Sequence, residues 1–430
     1  MKHSIEFEKC GPYADSMTKA VETCVHCGFC LPACPTYNEL GQEADSPRGR
    51  ILLMKQVLEG DLQPENISTH MDRCLGCLAC ETACPSGVKY RDLVSPYRSV
   101  TASKKTFWEQ WRDRIIALTL PYPRRFRWAL ILGKLSSFLQ FLLPKAFRPM
   151  TDLIPDTLPR SIRLKEEYLA KGQSHCRVVL LAGCAQQVLA PGINLETIKL
   201  LNYCGADVLV PKNQACCGAL AWHNGDAKQA RGLAVKNFEL FPGEIQWIVT
   251  NAAGCGSGMK EYELLFQGTD SQFRAKEIAS KTVDVAVLLS KLGLGEKLKN
   301  LMGVVAGATE TKVAYHDACH LSNGQNVRSE PRSLLRSLPG VQLCELPGIE
   351  VCCGSAGTFN IDQPQIAYEL GRQKAEAIIA TGAEYLVTGN IGCIVQIQRH
   401  LQEQGSQIKV LHLVEFLSQR VFDIANFDAS

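Results

Sequence analysis

From residue 174 onward, short uninterrupted apolar runs such as "VVLL", "WIVT" and "YLVT" alternate with stretches whose apolar positions recur every three or four residues. Continuous apolar runs mark strands covered on both faces, and the longer period marks the helices that cover them, so this half predicts parallel α/β units. Helices are expected over Asp226 to Phe241 and Pro364 to Thr381. Up to about residue 105 the texture differs: short helical pieces are separated by polar turns and cysteine loops. "SPRGRILLMKQVLEG" reads as one helix, with Ser46 as N-cap, Pro47 at the first helical position and Gly60 as the stop.

The strand-rich half repeats itself. "CRVVLLAGCAQQ" parallels "TKVAYHDACHLS", and "ADVLVPKNQACCG" parallels "VQLCELPGIEVCCG". "IQWIVTNAAGCG" then parallels "AEYLVTGNIGC", and "VDVAVLLSKL" parallels "VLHLVEFLSQ". Landmarks in the same order at nearly the same displacement indicate a duplicated domain. The chain divides into a helical domain at 1–105, a basic amphipathic linker at 106–173, a first α/β copy at 174–305 and a second at 306–430.

The linker changes the picture through its charge. From Arg114 to Thr151 it holds no acidic residue, while Arg114, Arg124, Arg125, Arg127, Lys134, Lys145 and Arg148 stand among Phe, Trp and Leu. That composition suits a helix lying on an anionic membrane or against a partner, and equally helices packed on the rest of the protein. No window is long and uncharged enough for a spanning helix. The net charge of +3 and the lack of a basic-aromatic stripe argue against nucleic-acid binding. Twenty cysteines follow a charged start with no apolar signal core. The expectation is a cytoplasmic protein, peripheral on the cytoplasmic membrane, whose thiols serve metal rather than disulfides.

Two runs, "CVHCGFCLPACP" and "CLGCLACETACP", share the spacing C-x2-C-x2-C-x3-C-P. In that spacing three cysteines hold one 4Fe-4S cube and the fourth crosses to the other. Cys24, Cys27, Cys30 and Cys84 are therefore assigned to one cluster, and Cys74, Cys77, Cys80 and Cys34 to the second. Pro35 and Pro85 turn the chain away after each run. Zinc sites built from paired CxxC halves do not add a third cysteine at the same step. Arg48 and Arg50 fall either beside the clusters or on a solvated helix start.

Each α/β copy carries a strand-end cysteine, a Cys-Cys-Gly and a later cysteine: Cys184, Cys216, Cys217, Cys255, and Cys319, Cys352, Cys353, Cys393. Strand carboxyl ends line the ligand crevice of a parallel sheet, so each set should converge as further metal or redox residues. His316, Asp317 and His320 in "YHDACHL" have no counterpart in "LAGCAQQ", and they are read as supporting groups, with no catalytic residue assigned. His223 and His26 are read likewise. Cys10, Cys176, Cys204 and Cys344 stand outside both patterns as ordinary thiols.

The ferredoxin runs resemble the α-helical ferredoxin module of iron-sulfur subunits of succinate dehydrogenase, glycerol-3-phosphate dehydrogenase and heterodisulfide reductase. The Cys-Cys-Gly copies resemble the paired CCG domains of heterodisulfide reductase subunits. Family members with the full motif close it with CxxC and hold a non-cubane cluster, but Gly258 and Gln396 occupy the closing positions here. The order of parts, with "CVHCGFCLPACPTY", "SPRGRI", "GCGSGMKEY", "CCGSAGT" and "NIGC", is similar to the glycolate oxidase (glycolate dehydrogenase) iron-sulfur subunit. This resemblance implies an α+β multidomain fold, with an α-helical ferredoxin-like domain carrying two 4Fe-4S sites followed by two parallel-sheet CCG domains. It implies a subunit that takes electrons from FAD on partner flavoprotein subunits oxidising glycolate or D-lactate, and passes them to a membrane quinone-like acceptor. No flavin or nicotinamide fingerprint lies in the chain itself: "GCGSGM" lacks the last glycine of G-x-G-x-x-G, at Met259. The alternatives are a glycerol-3-phosphate or D-lactate dehydrogenase subunit, or a heterodisulfide reductase-like enzyme acting at the CCG cysteines.

Overall fold

The computed structural model describes residues 3–101, 105–135, 143–300, 310–348 and 352–427. In the N-terminal part, helices Ala14–Thr23, Pro47–Leu58 and Arg91–Val100 enclose Met17, Val21, Met54 and Leu93. The middle helix starts as its sequence dictates, with Ser46 Oγ accepting from the Gly49 N–H at 3.0 Å and Pro47 at the first position.

The second half is built on two sheets. The first contains β1 (Glu167–Tyr168), β2 (Cys176–Leu181), β3 (Ala206–Leu209), β4 (Trp247–Thr250) and β5 (Thr282–Asp284) in the order β1-β3-β2-β4-β5. The second contains β6 (Thr311–His316), β7 (Val341–Cys344), β8 (Tyr385–Thr388) and β9 (Lys409–His412) in the order β7-β6-β8-β9. Strands β3-β2-β4-β5 and β7-β6-β8-β9 thus follow one topology, all neighbours parallel, as duplicated units should. The sequence reading did not anticipate β1, which lies inside the 106–173 segment and pairs antiparallel with β3. Two residues of "EEY" are too short to show any period.

The units do not stand apart. The Leu413–Phe427 helix packs on Gly192–Tyr203 of the first unit, with Tyr203 and Phe422 rings 5.9 Å apart. At the strand ends the Ala253 N–H donates to the Gly389 carbonyl at 3.0 Å. The ferredoxin part shares a core with the first unit: Tyr13 and Trp222 rings lie 5.8 Å apart, and Arg231 donates to the Tyr13 hydroxyl at 2.6 Å.

In the linker, helices Phe107–Thr119 and Pro123–Leu135 form a hairpin whose first turn is closed by a Thr106/Glu109 capping box. Gln229 donates to the Ala117 carbonyl at 2.9 Å, and Arg112 pairs with Asp362, so the hairpin is tied to both units. Its other face leaves Trp108 51 % and Trp128 65 % exposed, beside Trp111, Leu118, Leu132 and Leu135.

Candidate functional site

The two cysteine runs fold into matching loops. His26 and Gly76 both take left-handed backbone (φ 54° and 65°), as do Gly28 and Leu78 (φ 88° and 60°). The same two steps of the motif therefore reverse the chain in each copy, even where the residue is not glycine. A left-handed turn at each step is what wraps successive cysteines around a compact body instead of along a helix.

One hollow is lined by Cys24, Cys27, Cys30 and Cys84, with Ile51, Val88 and Tyr90 in its wall and Cys80, which lines both hollows, at the boundary with the second. A second is lined by Cys34, Cys74, Cys77 and Cys80. The fourth cysteine of each run thus faces the other run's hollow. Among the described residues, none of these thiols belongs to a group of three donors converging within 4.8 Å. A single zinc ion demands convergence of that kind, whereas a cube takes its thiolates spread around several corners. The donor set fits an iron-sulfur cube at each hollow.

The charge around the second hollow is arranged for thiolate. Arg50, expected near the clusters or on a solvated helix start, is 1 % exposed. It faces Cys34 Sγ at 3.8 Å and donates to Thr36 Oγ1 at 2.9 Å and the His70 carbonyl at 2.8 Å. Its guanidinium charge is itself balanced by Asp45, which also pairs with His70 and Arg73. Burial raises the Cys74 thiol, but Arg50 and Arg98, joined by hydrogen bonds from the Gly76 N–H and the Tyr90 hydroxyl, together hold Cys74 below the ordinary value. Cys77 and Cys80, where burial dominates, are pushed well above it. The Val88 N–H points at Cys84 Sγ at 3.4 Å. Arg48 donates to the His26 carbonyl at 2.9 Å and so braces the first loop.

The surroundings of the loops differ. Val25 and Phe29 of the first loop are 67 % and 68 % exposed. The second loop is docked on the second α/β unit: His320 Nε2 meets the Gly76 carbonyl at 3.2 Å, and Asn323 donates to the Cys77 carbonyl at 3.2 Å. Arg91 adds a bond to the Gly324 carbonyl at 2.9 Å, and Cys77 packs in one cluster with Cys352 and Cys319.

In both α/β units the four cysteines come together at the strand ends. The thiol series runs Cys184, Cys216, Cys217, Cys255 and, in parallel, Cys319, Cys352, Cys353, Cys393, each within hydrogen-bonding reach of the next. All are free thiols. Gly218 and Gly354 have φ of 81° and 85°, and a Cβ there would meet the backbone oxygens of Ala230 and Ala367 at 2.8 and 2.5 Å. Both copies need glycine for the same close approach. At one closing position of the full motif, a Cβ on Gly258 would stand 2.3 Å from Ala219 Cβ, so no side chain fits there. At the other, Gln396 is buried and donates to the Ala367 carbonyl at 3.3 Å.

The "YHDACHL" residues separate. Asp317 pairs with Arg332 at 2.6 Å, His320 faces the second ferredoxin loop, and His316 points among thiols. His223 meets Glu261 at 3.3 Å and stacks edge-on with His320, centroids 5.2 Å apart.

Sequence reasoning placed a ligand crevice at the strand ends of each unit but did not anticipate that the linker covers one crevice shared by both. A cavity of about 460 Å3 is roofed by the linker through Ile116, Leu120, Leu130 and Ile154, and floored by Cys184, Cys217, Cys255 and Cys319. His223, His320, Ser355, Asn360, Asn390 and Gln396 are among its polar residues. The amphipathic linker was the only signal, and periodicity does not say what an apolar face will cover.

Residues 20–88 match the family described as "4Fe-4S dicluster domain", and residues 178–260 and 313–398 each match "Cysteine-rich domain". The chain is 35% identical over 419 residues to a probable glycolate oxidase iron-sulfur subunit of Bacillus subtilis (strain 168), covering 92% of each chain. It is 34% identical over 424 residues to the glycolate oxidase iron-sulfur subunit of Escherichia coli (strain K12), covering 94% of this chain and 95% of that one. Lactate utilization protein A of Bacillus subtilis (strain 168) is 32% identical over 250 residues, which is 57% of this chain and 100% of that protein.

Proposed function

Because the chain belongs to the family of glycolate oxidase iron-sulfur subunits, an oxidoreductase family, we propose that it is the electron-conducting subunit of a 2-hydroxy acid dehydrogenase. FAD on partner subunits takes the hydride from glycolate or D-lactate, and this chain carries the electrons to a quinone-like membrane acceptor. Cys24, Cys27, Cys30 and Cys84 hold one cube, and Cys74, Cys77, Cys80 and Cys34 the other. A bound 4Fe-4S cube accepts and releases one electron at a time, which splits the two-electron chemistry of a flavin.

The observation that carries this reading is the contrast between the loops. The first presents Val25, Cys27 and Phe29 to solvent, a surface for a flavoprotein. The second is held by His320, Asn323 and Arg91 against the α/β crevice. Arg50 and Arg98 stabilise negative charge at the inner site. The crevice, apolar and roofed on one side by the linker, suits a flat hydrophobic acceptor. The basic linker face, with Trp108, Trp111 and Trp128 exposed, suits adsorption to an anionic bilayer, where each Lys or Arg contributes about 1 kcal/mol. Among the described residues no helix is long and apolar enough to cross a membrane.

The test is anaerobic co-purification. Flavoprotein partners should accompany the chain, and the flavin should bleach with glycolate or D-lactate but not with glycerol-3-phosphate. Phe29→Asp should release the partners without loss of iron. A chain that purifies alone, or whose partners respond only to glycerol-3-phosphate, overturns the reading.

A further inference from the structure

One set of donor atoms converges more tightly than either ferredoxin hollow. A ring nitrogen of His316 and the thiols of Cys353 and Cys393 lie within 4.8 Å of one another. All three residues are almost wholly buried, His316 at 1 %, Cys353 at 1 % and Cys393 at 2 % exposure. His316 closes β6 with its Nδ1 against Thr388 Oγ1 at 3.0 Å, while Nε2 is buried without a partner. A neutral imidazole that donates Nδ1–H to a hydroxyl carries its lone pair on Nε2. That is the state in which histidine ligates a metal, and the outer bond fixes the ring. Asn390 donates to Cys393 Sγ at 3.4 Å and orients that sulfur in the same way.

We propose that His316, Cys353 and Cys393 form a binding site for a single soft divalent ion of the zinc class, present in the second α/β unit and not in the first. Two thiolates and an imidazole form a donor set of zinc sites that keep a fourth position open. Tetrahedral zinc, with bonds of about 2.3 Å to sulfur and about 2.0 Å to nitrogen, spaces its ligand atoms roughly 3.5–3.8 Å apart. The present set needs only to close by about 1 Å. Two thiolates and a dication are together neutral, so the buried Lys374 nearby, held by the Gly348 carbonyl at 3.2 Å, does not oppose occupancy. The first unit has Leu181 at the strand end where the second has His316, three residues before the first cysteine in each case. Its thiol row therefore lacks the nitrogen.

Metal analysis of the full chain, purified anaerobically, tests this. About one zinc per chain is expected beside the iron. His316→Leu, which installs the first unit's residue, and Cys393→Ser should each abolish the zinc and leave the iron unchanged, while Cys176→Ser, a thiol of the first unit outside both cysteine patterns, should leave both. Zinc-edge X-ray absorption on the unaltered chain is independent of how any variant folds, and should show nitrogen and sulfur neighbours together. The proposal is overturned by a chain without zinc, by zinc that survives both substitutions, by a purely sulfur shell, or by loss of iron in place of zinc.

Discussion

At the scale of single residues, the ferredoxin loops separate backbone strain from side-chain crowding. Gly28 and Gly76 both have positive φ, so alanine at either costs about 1 kcal/mol of left-handed strain. A Cβ on Gly76 meets nothing closer than Arg98 Nη1 at 4.0 Å, whereas on Gly28 it would stand 2.9 Å from Arg48 Nη1 and displace the brace to the His26 carbonyl. Gly28→Ala should therefore lower the melting temperature and the iron content more than Gly76→Ala. Equal losses would mean that strain alone matters and that Arg48 braces nothing. The cysteine spacing was legible in the sequence because the ligands of a loop are local. Arg50 was not, since its burial depends on Thr36, Asp45 and His70, which only the fold assembles around it. His316 was visible as one of three polar residues in a short run, but nothing local distinguished it from Asp317 or His320. Only the packing sends each of them to a different partner.

At the scale of elements, the duplication shows how one helix cap tolerates two chemistries. Asp284 at the end of β5 accepts from the Ala286 N–H at 2.8 Å, and His412 at the end of β9 accepts from the Val414 N–H at 3.2 Å through Nδ1. Burial raises the Asp284 carboxyl to about 7 and lowers the His412 imidazole to about 4. For Asp284 the folded state holds its proton while the unfolded state has lost it, so stability falls as pH rises from about 4 to 7, by at most ~1.4 kcal/mol per unit. For His412 the unfolded state gains its proton first, so stability falls as pH drops from about 6.5 to 4. The two opposed slopes largely cancel in the wild-type chain. Asn keeps a capping oxygen without a titrating proton. Relative to wild type, Asp284→Asn should gain stability as pH rises from 5 to 7, and His412→Asn should gain it as pH falls from 6.5 to 5. Urea midpoints across that range check both slopes, and parallel curves for all three chains would refute them. The strand order behind this comparison was readable from the repeat. The linker's position over the crevice was not, because an apolar helix face does not name what it covers.

At the scale of the whole molecule, the shared core makes the metal-binding part and the first α/β unit one cooperative body. Trp222 is 1 % exposed, packs against Tyr13 and donates to Glu261 at 2.8 Å, so it joins the helices behind the ferredoxin loops to the first unit. Arg98 reinforces the junction, reaching the Cys74 carbonyl at 2.7 Å and the His223 carbonyl at 3.0 Å from one guanidinium. Trp222→Ala removes a large buried ring and leaves Glu261 with one partner fewer, a change expected to cost about 3–5 kcal/mol. If the core is continuous, that loss is felt by loops distant in sequence. The variant should release iron faster on mild heating, and its unfolding should remain a single transition at lower temperature. If the ferredoxin part folded on its own, the variant would show two transitions, with iron retained through the first. The proposed electron route needs the continuous arrangement, since His320, which lines the crevice, meets the Gly76 carbonyl of the inner loop only while the helical part and the second α/β unit stay registered. A hinge at this junction would move Cys77 away from Cys352 and Cys319, with which it packs in the second unit.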